Sequence, residues 1–471
     1  MNILFVTPEI FPLIKTGGLA DVSASLPRAV QSLGHRVVVL VPAYRELLVA
    51  AQPLGVKLLH VSEQDGHGVR ILETRLPGSR VRIWLVDCPA LFDRPGNPYH
   101  DREGQAWPDN AARFGLFCRV AALLAYDAFG LGWRPDVVHC NDWQSGLVPS
   151  LLYAKRPRPA LVFTIHNLAY QGLFSESEFR ALGLHPRYWH PEGLEFHGQL
   201  CFIKGGIVHA DRVTTVSPTY AREIQTPAFG CGLEGLLKHR STVLHGILNG
   251  IDTQVWNPLR DTAITVNYAA ASLARKRANK IALQAESGLD TDPGSPLLGF
   301  IGRLTGQKGI DLLLGALPTL LAEGAQAVML GSGDAAIEQS LAALARDFPG
   351  QVALRIGYDE AWAHRIEAAA DVFLMPSRFE PCGLNQMYSL RYGTVPVVRQ
   401  VGGLADSVTP YREGLAGGTG FVFRPYTTEA LLAALQDALH VYRERPADWR
   451  LLQQRGMALD LSWERSARAY V

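Results

Sequence analysis

The sequence predicts an α/β protein made of two doubly wound parallel sheets. Its 471 residues exceed the length that one hydrophobic core usually supports, so two domains are expected. Short β-branched runs alternate with longer amphipathic stretches, which is the pattern of βαβ units and a parallel sheet. This alternation occurs twice, before and after a turn-rich passage at residues 248–258.

The predicted strands are spaced widely enough for a helix to cross over between neighbours. In the first half of the chain they fall at residues 3–7, 37–41, 82–86, 137–140, 161–165 and 212–216. In the second half they fall at residues 298–302, 327–330, 352–356, 372–375 and 395–397. We therefore expect a first domain at residues 1–247 and a second at 248–456, with a final helix at about 457–471 that packs back on the first domain.

Charge and hydropathy exclude several classes of protein. The chain has 45 basic and 44 acidic residues, and its formal charge of +1 argues against binding to nucleic acid or to a membrane surface. The N-terminus lacks a basic region and a cleavage site, so we interpret residues 2–6 as a strand and not as a signal peptide. The longest apolar region, residues 116–133, contains Arg119 and Asp127, which favours a packed helix over a membrane span. We expect a cytoplasmic protein of undetermined oligomeric state.

The sequence contains no obvious metal-binding motif. Its six cysteines are scattered without a CxxC pair, which favours reduced thiols over a disulfide framework or a zinc site. The one DxD motif, residues 290–292, leads directly into Pro293 and Gly294 and therefore indicates a turn. No HExxH motif is present. We expect neither a metal nor a cofactor.

A glycine-containing loop follows the first predicted strand and precedes a helical pattern. Gly17 and Gly18 allow the backbone to approach a ligand closely, the N–H groups of the helix point at it, and Lys15 adds a positive charge. The order of residues differs from that of a P-loop, and a tight turn with a solvated lysine remains an alternative. The pentapeptide at 17–21 recurs at residues 402–406, which either two similar domains or a general preference for glycine before helices would explain.

Unusual polar residues follow several predicted strands. In doubly wound sheets the ligand lies beyond the carboxyl ends of the strands, so these positions predict a site. The residues concerned are Asp142, His166, Arg303, Lys308 and Glu380. Each alone could be a helix cap or a surface residue, but together they indicate one site. Arg303, Lys308 and Lys15 would supply three cations, enough to neutralise a diphosphate without a metal.

Residues 331–336 match part of the dinucleotide-binding fingerprint, with Asp359 after the next strand. In a Rossmann domain that fingerprint normally follows the first strand, whereas here it follows the second of its half. A nicotinamide-dependent oxidoreductase is therefore disfavoured. Tyr358, beside Asp359, suggests a stacking surface for a base, although an aromatic residue at a strand end is often only packing.

Five motifs together resemble bacterial glycogen synthases and plant starch synthases. They lie at residues 15–21, 163–167, 248–252, 302–309 and 376–384, in the family's order. The resemblance implies a GT-B fold, in which two Rossmann-like domains face each other across a deep cleft. It also implies transfer of glucose from ADP-glucose to the non-reducing end of an α-1,4-glucan such as glycogen or a maltodextrin, with retention of the anomeric configuration.

The resemblance also assigns candidate site residues. The catalytic candidates are Glu380, Arg303, Lys308, His166 and Asp142. The substrate-binding candidates are Lys15, Gly17, Gly18, Asp21, Tyr99, Asn249, Gln307, Tyr358, Cys382, Gly383 and Leu384.

Within the family pattern, each group of candidates has an implied task. Arg303 and Lys308 hold the donor diphosphate, and Glu380 contacts the glucosyl unit. Tyr358 matches the place where the adenine stacks. Wider relatives have a second Glu eight residues after the first, where this chain has Tyr388, and glycogen synthases show the same departure.

The predicted mechanism depends on the absence of a second catalytic carboxylate beside Glu380. A retaining glycosidase uses two carboxylates about 5 Å apart, yet the sequence offers no convincing acid partner for Glu380. We therefore expect same-face transfer, in which the departing diphosphate takes the proton of the acceptor hydroxyl. A UDP-sugar transferase or epimerase of the same fold, and an inactive glucan-binding scaffold, are the alternatives that remain open.

Overall fold

The computed structural model describes residues 1–414 and 417–471, which divide into two compact units. Unit 1 comprises Met1–Asn249 and Trp463–Val471, and unit 2 comprises Gly250–Ser462. The chain thus passes from one unit to the other after Asn249 and again after Ser462, whereas the sequence analysis placed these boundaries after residues 247 and 456.

Unit 1 contains a nine-stranded sheet and a small three-stranded sheet. Its strands are β1 Asn2–Val6, β2 Arg36–Pro42, β3 Lys57–Gln64, β4 His67–Arg75, β5 Arg82–Asp87, β6 Val137–Asn141, β7 Ala160–Ile165, β8 Leu173–Phe174, β9 Glu195–Phe196, β10 Gln199–Cys201, β11 Arg212–Thr215 and β12 Leu244–Gly246. Its helices before Asn249 are α1 Gly18–Ser32, α2 Arg45–Ala51, α3 Pro89–Phe92, α4 Asn110–Ala125, α5 Leu147–Tyr153, α6 Glu176–Ala181, α7 Phe202–His209, α8 Pro218–Glu223 and α9 Glu234–His239.

The large sheet is wound in two directions from its first strand. Its order is β12-β11-β7-β6-β1-β2-β5-β4-β3, and β1 pairs in parallel with both β2 and β6. The central strands are apolar and buried on both faces, as expected of a sheet covered by helices on each side. The point where the winding direction reverses lies between β1 and β6, and such a point is where doubly wound sheets bind ligands.

Two antiparallel strands at one end of the large sheet were not predicted. β3 and β4 form a hairpin, and β4 pairs antiparallel with β5. Asp65 and Gly66 connect the hairpin with φ of 53° and 75°, the left-handed conformation of both central residues in a type I′ turn. The Asp-Gly pair was therefore a usable signal, but β3 is too exposed to show a clear hydrophobic alternation.

Unit 2 contains one parallel sheet of six strands. The strands are β13 Leu297–Ile301, β14 Gln326–Gly331, β15 Val352–Ile356, β16 Val372–Met375, β17 Val395–Arg399 and β18 Phe421–Phe423. The helices are α10 Lys276–Glu286, α11 Ile310–Ala322, α12 Ala335–Asp347, α13 Glu360–Ala369, α14 Asn385–Tyr392, α15 Gly402–Ser407, α16 Thr428–Glu444 and α17 Pro446–Ala458. The order β15-β14-β13-β16-β17-β18 places the reversal of winding between β13 and β16.

The last helix, α18 (Trp463–Tyr470), belongs to unit 1. Its Ser466 Oγ donates a hydrogen bond of 2.6 Å to the carbonyl of Leu248, and its Tyr470 ring lies 5.4 Å from that of His139. Over the part of the chain that the structure describes, the helices are too short or too polar to traverse a lipid bilayer. None of the six cysteines, all in the described part of the chain, forms a disulfide, and five of them are buried.

Candidate active site

In unit 1, three loops at the reversal point carry the candidate residues. The segment after β1 leads through Lys15 and Gly17 into α1, Asp142 follows β6, and His166 follows β7. The carboxyl ends of these neighbouring parallel strands lie at one edge of the sheet, so the fold places these three loops at that edge.

A buried carboxylate that the sequence analysis missed organises the loop after β1. Glu9 is only 3 % exposed, and it accepts hydrogen bonds from the main-chain N–H groups of Thr16 at 2.5 Å and of Gly17 at 3.3 Å. The hydroxyl groups of Thr16 and Tyr99 also donate to it. Burial raises the pKa of Glu9, while these donors act in the opposite direction. The main-chain N–H groups of Thr16 and Gly17, just before the helix, are therefore occupied by an internal carboxylate.

Lys15 and Gly17 remain accessible from the same loop. The Lys15 ammonium pairs with Asp21 at 3.0 Å and lies 5.0 Å from the centre of the Phe11 ring, with about a quarter of its side chain exposed. A Cβ added to Gly17 would lie more than 4 Å from every described atom outside its immediate chain neighbours. Gly18 begins α1. The space beside this glycine turn can therefore receive part of a ligand.

Asp142 occupies a strained backbone position between β6 and a short 3₁₀ turn. Its φ of 56° and ψ of −179° fall in a region that residues other than glycine rarely adopt. Its Oδ1 accepts hydrogen bonds from the main-chain N–H groups of His166 at 2.7 Å and Asn167 at 3.4 Å. Burial raises its pKa to about 7, and the nearby negative charge of Glu9 adds to that rise. A strained and perturbed carboxylate at a strand end is typical of a functional site.

His166 and Asn249 are the other polar candidates of unit 1. Burial lowers the pKa of His166 to about 3, so this imidazole is neutral near pH 7. Its Nε2 lies 3.0 Å from Asn141 Oδ1. Asn249 is 6 % exposed, and its Oδ1 accepts no hydrogen bond from the residues that the structure describes. A buried amide oxygen in this state is suited to accept one from a ligand.

In unit 2, Lys308 and Glu380 form a direct ion pair at the reversal point. Lys308 follows β13, Glu380 follows β16, and the Lys308 Nζ lies 2.5 Å from Glu380 Oε2. Ser377 Oγ donates a second hydrogen bond to the same oxygen at 3.0 Å. Glu380 is only 5 % exposed, so this pair interacts in a medium of lower dielectric than water.

Gln307 connects the two strand-end loops of unit 2. Its carbonyl accepts from the N–H of Arg378 at 2.8 Å, and its side-chain amide donates to the Phe379 carbonyl at 3.3 Å. Arg303 donates to Gln307 Oε1 at 3.1 Å. The structure thus brings together Arg303, Gln307, Lys308 and Glu380, four of the candidates, in one network.

The glycine pair at 402–403, which repeats the pair at 17–18, contacts the backbone of the Glu380 loop. The N–H of Gly403 donates to the carbonyls of Glu380 and Pro381, both at 3.1 Å. Gly402 has a φ of 42°, and a Cβ there would overlap the Glu380 carbonyl oxygen. The repeat is visible in the sequence, but its role emerges only from these contacts.

Beyond Glu380, a turn leads from Cys382 through Gly383 and Leu384 into α14. Gly383 has a φ of 69°, which glycine adopts without strain. The Gln386 amide donates to the carbonyls of Cys382 and Gly383, each at 3.0 Å, and fixes the turn. These three candidates therefore follow Glu380 closely in the chain, in a turn that Gln386 holds.

Tyr358 stands apart from this network. It follows β15, which is two strands away from β13 in the sheet. Its side chain is 71 % exposed, and its hydroxyl donates to Glu360. The exposed ring can serve as a stacking surface. Across the described residues, no group of three His, Cys, Asp or Glu side chains is arranged to hold a metal ion.

Comparisons with known proteins agree with the motifs. Residues 2–239 match the family model of the starch synthase catalytic domain, and residues 284–450 match that of the group 1 glycosyl transferases. The chain belongs to the glycogen and starch synthase family. It is 55 % identical to glycogen synthase 1 of Methylococcus capsulatus and 56 % identical to glycogen synthase of Marinobacter nauticus, covering the whole chain and 95 % and 96 % of those relatives.

Two solved structures show the same fold as this chain. The catalytic domain of starch synthase IV from Arabidopsis thaliana, bound to ADP and acarbose, aligns with a TM-score of 0.89 at 34 % identity, over 99 % of this chain and 97 % of that one. Sucrose-phosphate synthase from Thermosynechococcus elongatus aligns with a TM-score of 0.60 at 19 % identity, which shows the fold alone. The predicted pair of Rossmann-like domains of the GT-B type is confirmed, as is the assignment to glycosyltransferases.

The raised pKa of Asp142 predicts a stability that depends on pH. Because its pKa rises from 3.8 to about 7, ionising it costs free energy in the folded state, so stability should fall as pH rises towards 7 and then level off. An asparagine side chain at this position could still accept both N–H groups but cannot ionise. Between pH 5 and pH 8 the unfolding free energy of the wild-type protein should fall by roughly 3 kcal/mol, whereas that of Asp142→Asn should not show this fall.

Urea unfolding at the two pH values measures this difference. Asp65→Asn is the matched control, because Asp65 is exposed and has a similar φ of 53°. Equal pH dependence of Asp142→Asn and the wild-type protein would show that Asp142 is not the titrating group.

Proposed function

We propose that this protein transfers glucose from ADP-glucose to the non-reducing end of an α-1,4-glucan, with retention at the anomeric carbon and release of ADP. The observation that carries the proposal is the network of Arg303, Gln307, Lys308 and Glu380 at the reversal point of unit 2. It offers two cations and one carboxylate where doubly wound sheets bind ligands. A relative 34 % identical in sequence binds ADP and acarbose, a nucleotide and an oligosaccharide analogue.

The residues of unit 2 suit the nucleotide diphosphate. Arg303 presents a planar guanidinium that can bind phosphate oxygens in pairs, and Lys308 presents a compact point charge. Both stabilise the diphosphate as it leaves with additional negative charge. The exposed ring of Tyr358 is the proposed stacking surface for the adenine.

The residues of unit 1 suit the sugar and the acceptor. Lys15 adds a third cation, and the open side of Gly17 allows the donor to approach the backbone. Asp142, Asn249 and the neutral His166 offer hydrogen-bonding groups for sugar hydroxyls. Because His166 is neutral, it orients the sugar by hydrogen bonding and does not add positive charge next to an oxocarbenium-like centre.

The proposed reaction proceeds on one face of the sugar. The bond between the anomeric carbon and the diphosphate oxygen breaks, a bond to the acceptor hydroxyl oxygen forms, and the hydroxyl proton moves to the departing diphosphate. Glu380, already paired with Lys308, contributes electrostatic stabilisation and locates the glucosyl unit. We propose that the reaction requires neither a metal nor another cofactor, and that it takes place in the cytoplasm.

The test is nucleoside diphosphate release by the purified protein. ADP-glucose and UDP-glucose are each supplied with and without glycogen, with a chelator present throughout and Glu380→Gln as the inactive control. We expect ADP release that requires glycogen and survives chelation. Donor consumption without glycogen would indicate an epimerase or a hydrolase, preference for UDP-glucose would correct the donor, and no release would support the scaffold alternative.

A further inference from the structure

Glu9 has no hydrogen-bonding position left for a ligand. An ionised carboxylate has about four lone-pair sites. Oε2 accepts from the N–H groups of Thr16 and Gly17, and Oε1 accepts from the hydroxyls of Thr16 and Tyr99. Two of these donors are main-chain N–H groups, which can only donate hydrogen bonds. The carboxylate must therefore keep accepting from them. Glu9 therefore acts on a substrate only through the groups that it holds.

The bond from Tyr99 to Glu9 determines what Tyr99 can offer. A phenol has one donor hydrogen and acceptor lone pairs. Because that hydrogen points at Glu9, the oxygen presents only lone pairs to anything else that approaches. Both burial and the negative charge of Glu9 raise the pKa of Tyr99, so the hydroxyl keeps its proton.

The position of the Tyr99 main chain is set independently of Glu9. The Tyr99 carbonyl accepts from the N–H of Trp107 and from the Asn110 side chain, both at 3.1 Å. Arg113, which is 1 % exposed, donates at 2.9 Å to the carbonyl of Pro98. Removing the charge of Glu9 should therefore change the direction of the Tyr99 hydroxyl hydrogen more than the place of its ring.

We propose that Glu9 is a positioning residue that fixes Tyr99 as a pure hydrogen-bond acceptor for a hydroxyl group of the donor's glucosyl unit. This rests on the proposed function and on the family resemblance, which implies that Tyr99 binds substrate. The same carboxylate holds Thr16 and Gly17, so one buried charge sets both the glycine turn and the polarity of the tyrosine.

The variant Glu9→Gln should reverse that polarity with little change in shape. The Gln oxygen has to face the N–H groups of Thr16 and Gly17, which leaves its NH₂ group to donate to the Tyr99 oxygen. Tyr99 would then donate its hydrogen to the substrate. We expect the KM for ADP-glucose to rise about tenfold or more, with a smaller change in kcat, and Tyr99→Phe to give a similar rise.

Two measurements separate this role from a merely structural one. The double variant Glu9→Gln/Tyr99→Phe should be no more than about threefold worse than either single variant, because both remove the same interaction. Donors in which a single glucosyl hydroxyl is replaced by fluorine provide the second readout, because fluorine accepts but does not donate. At one position of the sugar, wild type should lose affinity for the fluoro donor, and Glu9→Gln should recover part of that loss.

The pair formed by Tyr411 and Asp448 in unit 2 is a matched control, since its tyrosine also donates to a carboxylate at 2.8 Å. Tyr411→Phe and Asp448→Asn should leave the KM within about twofold of wild type.

Two outcomes would overturn the inference. One is a double variant whose loss is the product of the two single losses, and the other is a loss of affinity for the fluoro donor that neither Tyr99→Phe nor Glu9→Gln changes. If Glu9→Gln fails to fold, Tyr99→Phe and the fluoro donors still test the inference. The loss of affinity that fluorine causes in the wild-type protein must then be absent in Tyr99→Phe. A wild-type protein inactive on ADP-glucose would instead contradict the proposed function.

Discussion

Replacing Glu380 with Gln should lower kcat by roughly 10²–10³-fold and leave the protein folded. Gln is nearly the same size and can keep the hydrogen bond from Ser377, so the loop should hold its shape. What disappears is the negative charge 2.5 Å from the Lys308 ammonium, at a position only 5 % exposed. Lys308→Ala should be equally damaging, because it removes a cation that stabilises the departing diphosphate. Initial rates of ADP release at saturating donor and glycogen measure both.

The control for this prediction is another carboxylate of unit 2 that pairs with a cation. Glu286 accepts from Arg365 at 2.7 Å on the surface, outside the network around Glu380. Glu286→Gln should keep at least half of wild-type kcat, since exposed ion pairs contribute little. Near-wild-type turnover by both Glu380→Gln and Lys308→Ala would rule out the proposed site.

The parallel strands and the places where chemistry-bearing residues follow them were predictable from the sequence. Buried parallel strands are continuous apolar runs, and the loops after β13 and β16 carry charged residues that stand out against them. Arg303, Lys308 and Glu380 were recognisable for that reason. Their meeting follows from strand order, because β13 and β16 are neighbours although about 70 residues separate them in the sequence.

The contribution of Glu9 was not predictable from local pattern. It lies three residues after the end of β1, where a solvated acid is the ordinary expectation, and its partners include Tyr99, 90 residues further along the chain. Only the folded arrangement of the two loops shows that this carboxylate accepts hydrogen bonds from the main-chain N–H groups of Thr16 and Gly17. The exposed hairpin strand β3 was missed for a related reason, because it lacks the burial that creates a pattern.

The two copies of the Gly-Gly-Leu-Ala-Asp sequence have different surroundings and should respond differently to the same substitution. In unit 2, a Cβ on Gly402 would overlap the carbonyl oxygen of Glu380, and its φ of 42° is unfavourable for alanine. Gly402→Ala should therefore cost roughly 2–4 kcal/mol of unfolding free energy and displace Glu380, with a loss of kcat of about 10²-fold. Thermal unfolding and initial rates measure the two effects.

In unit 1, the matching substitution Gly17→Ala should spare stability and still reduce activity. Gly17 has extended backbone, with φ of −163°, and a Cβ there would meet open space. The unfolding free energy should change by less than about 0.5 kcal/mol, as is usual for substitutions away from packed regions. The added methyl group would nevertheless stand where the donor approaches the backbone, so kcat/KM for ADP-glucose should fall about tenfold or more.

Gly235→Ala, in the short helix α9, is the control, because a Cβ there also meets no described atom within 4 Å. It should leave activity unchanged and raise the unfolding free energy by at most about 1 kcal/mol, because alanine favours a helix more than glycine does. If Gly17→Ala retained full kcat/KM, the glycine turn would not adjoin the donor, and the proposed role of Lys15 beside it would fail with it. If Gly402→Ala were as stable and active as the control, the second glycine pair would not be what holds Glu380 in place. Opposite outcomes for stability at Gly17 and Gly402 would show that one short sequence serves ligand access in unit 1 and support of a catalytic loop in unit 2.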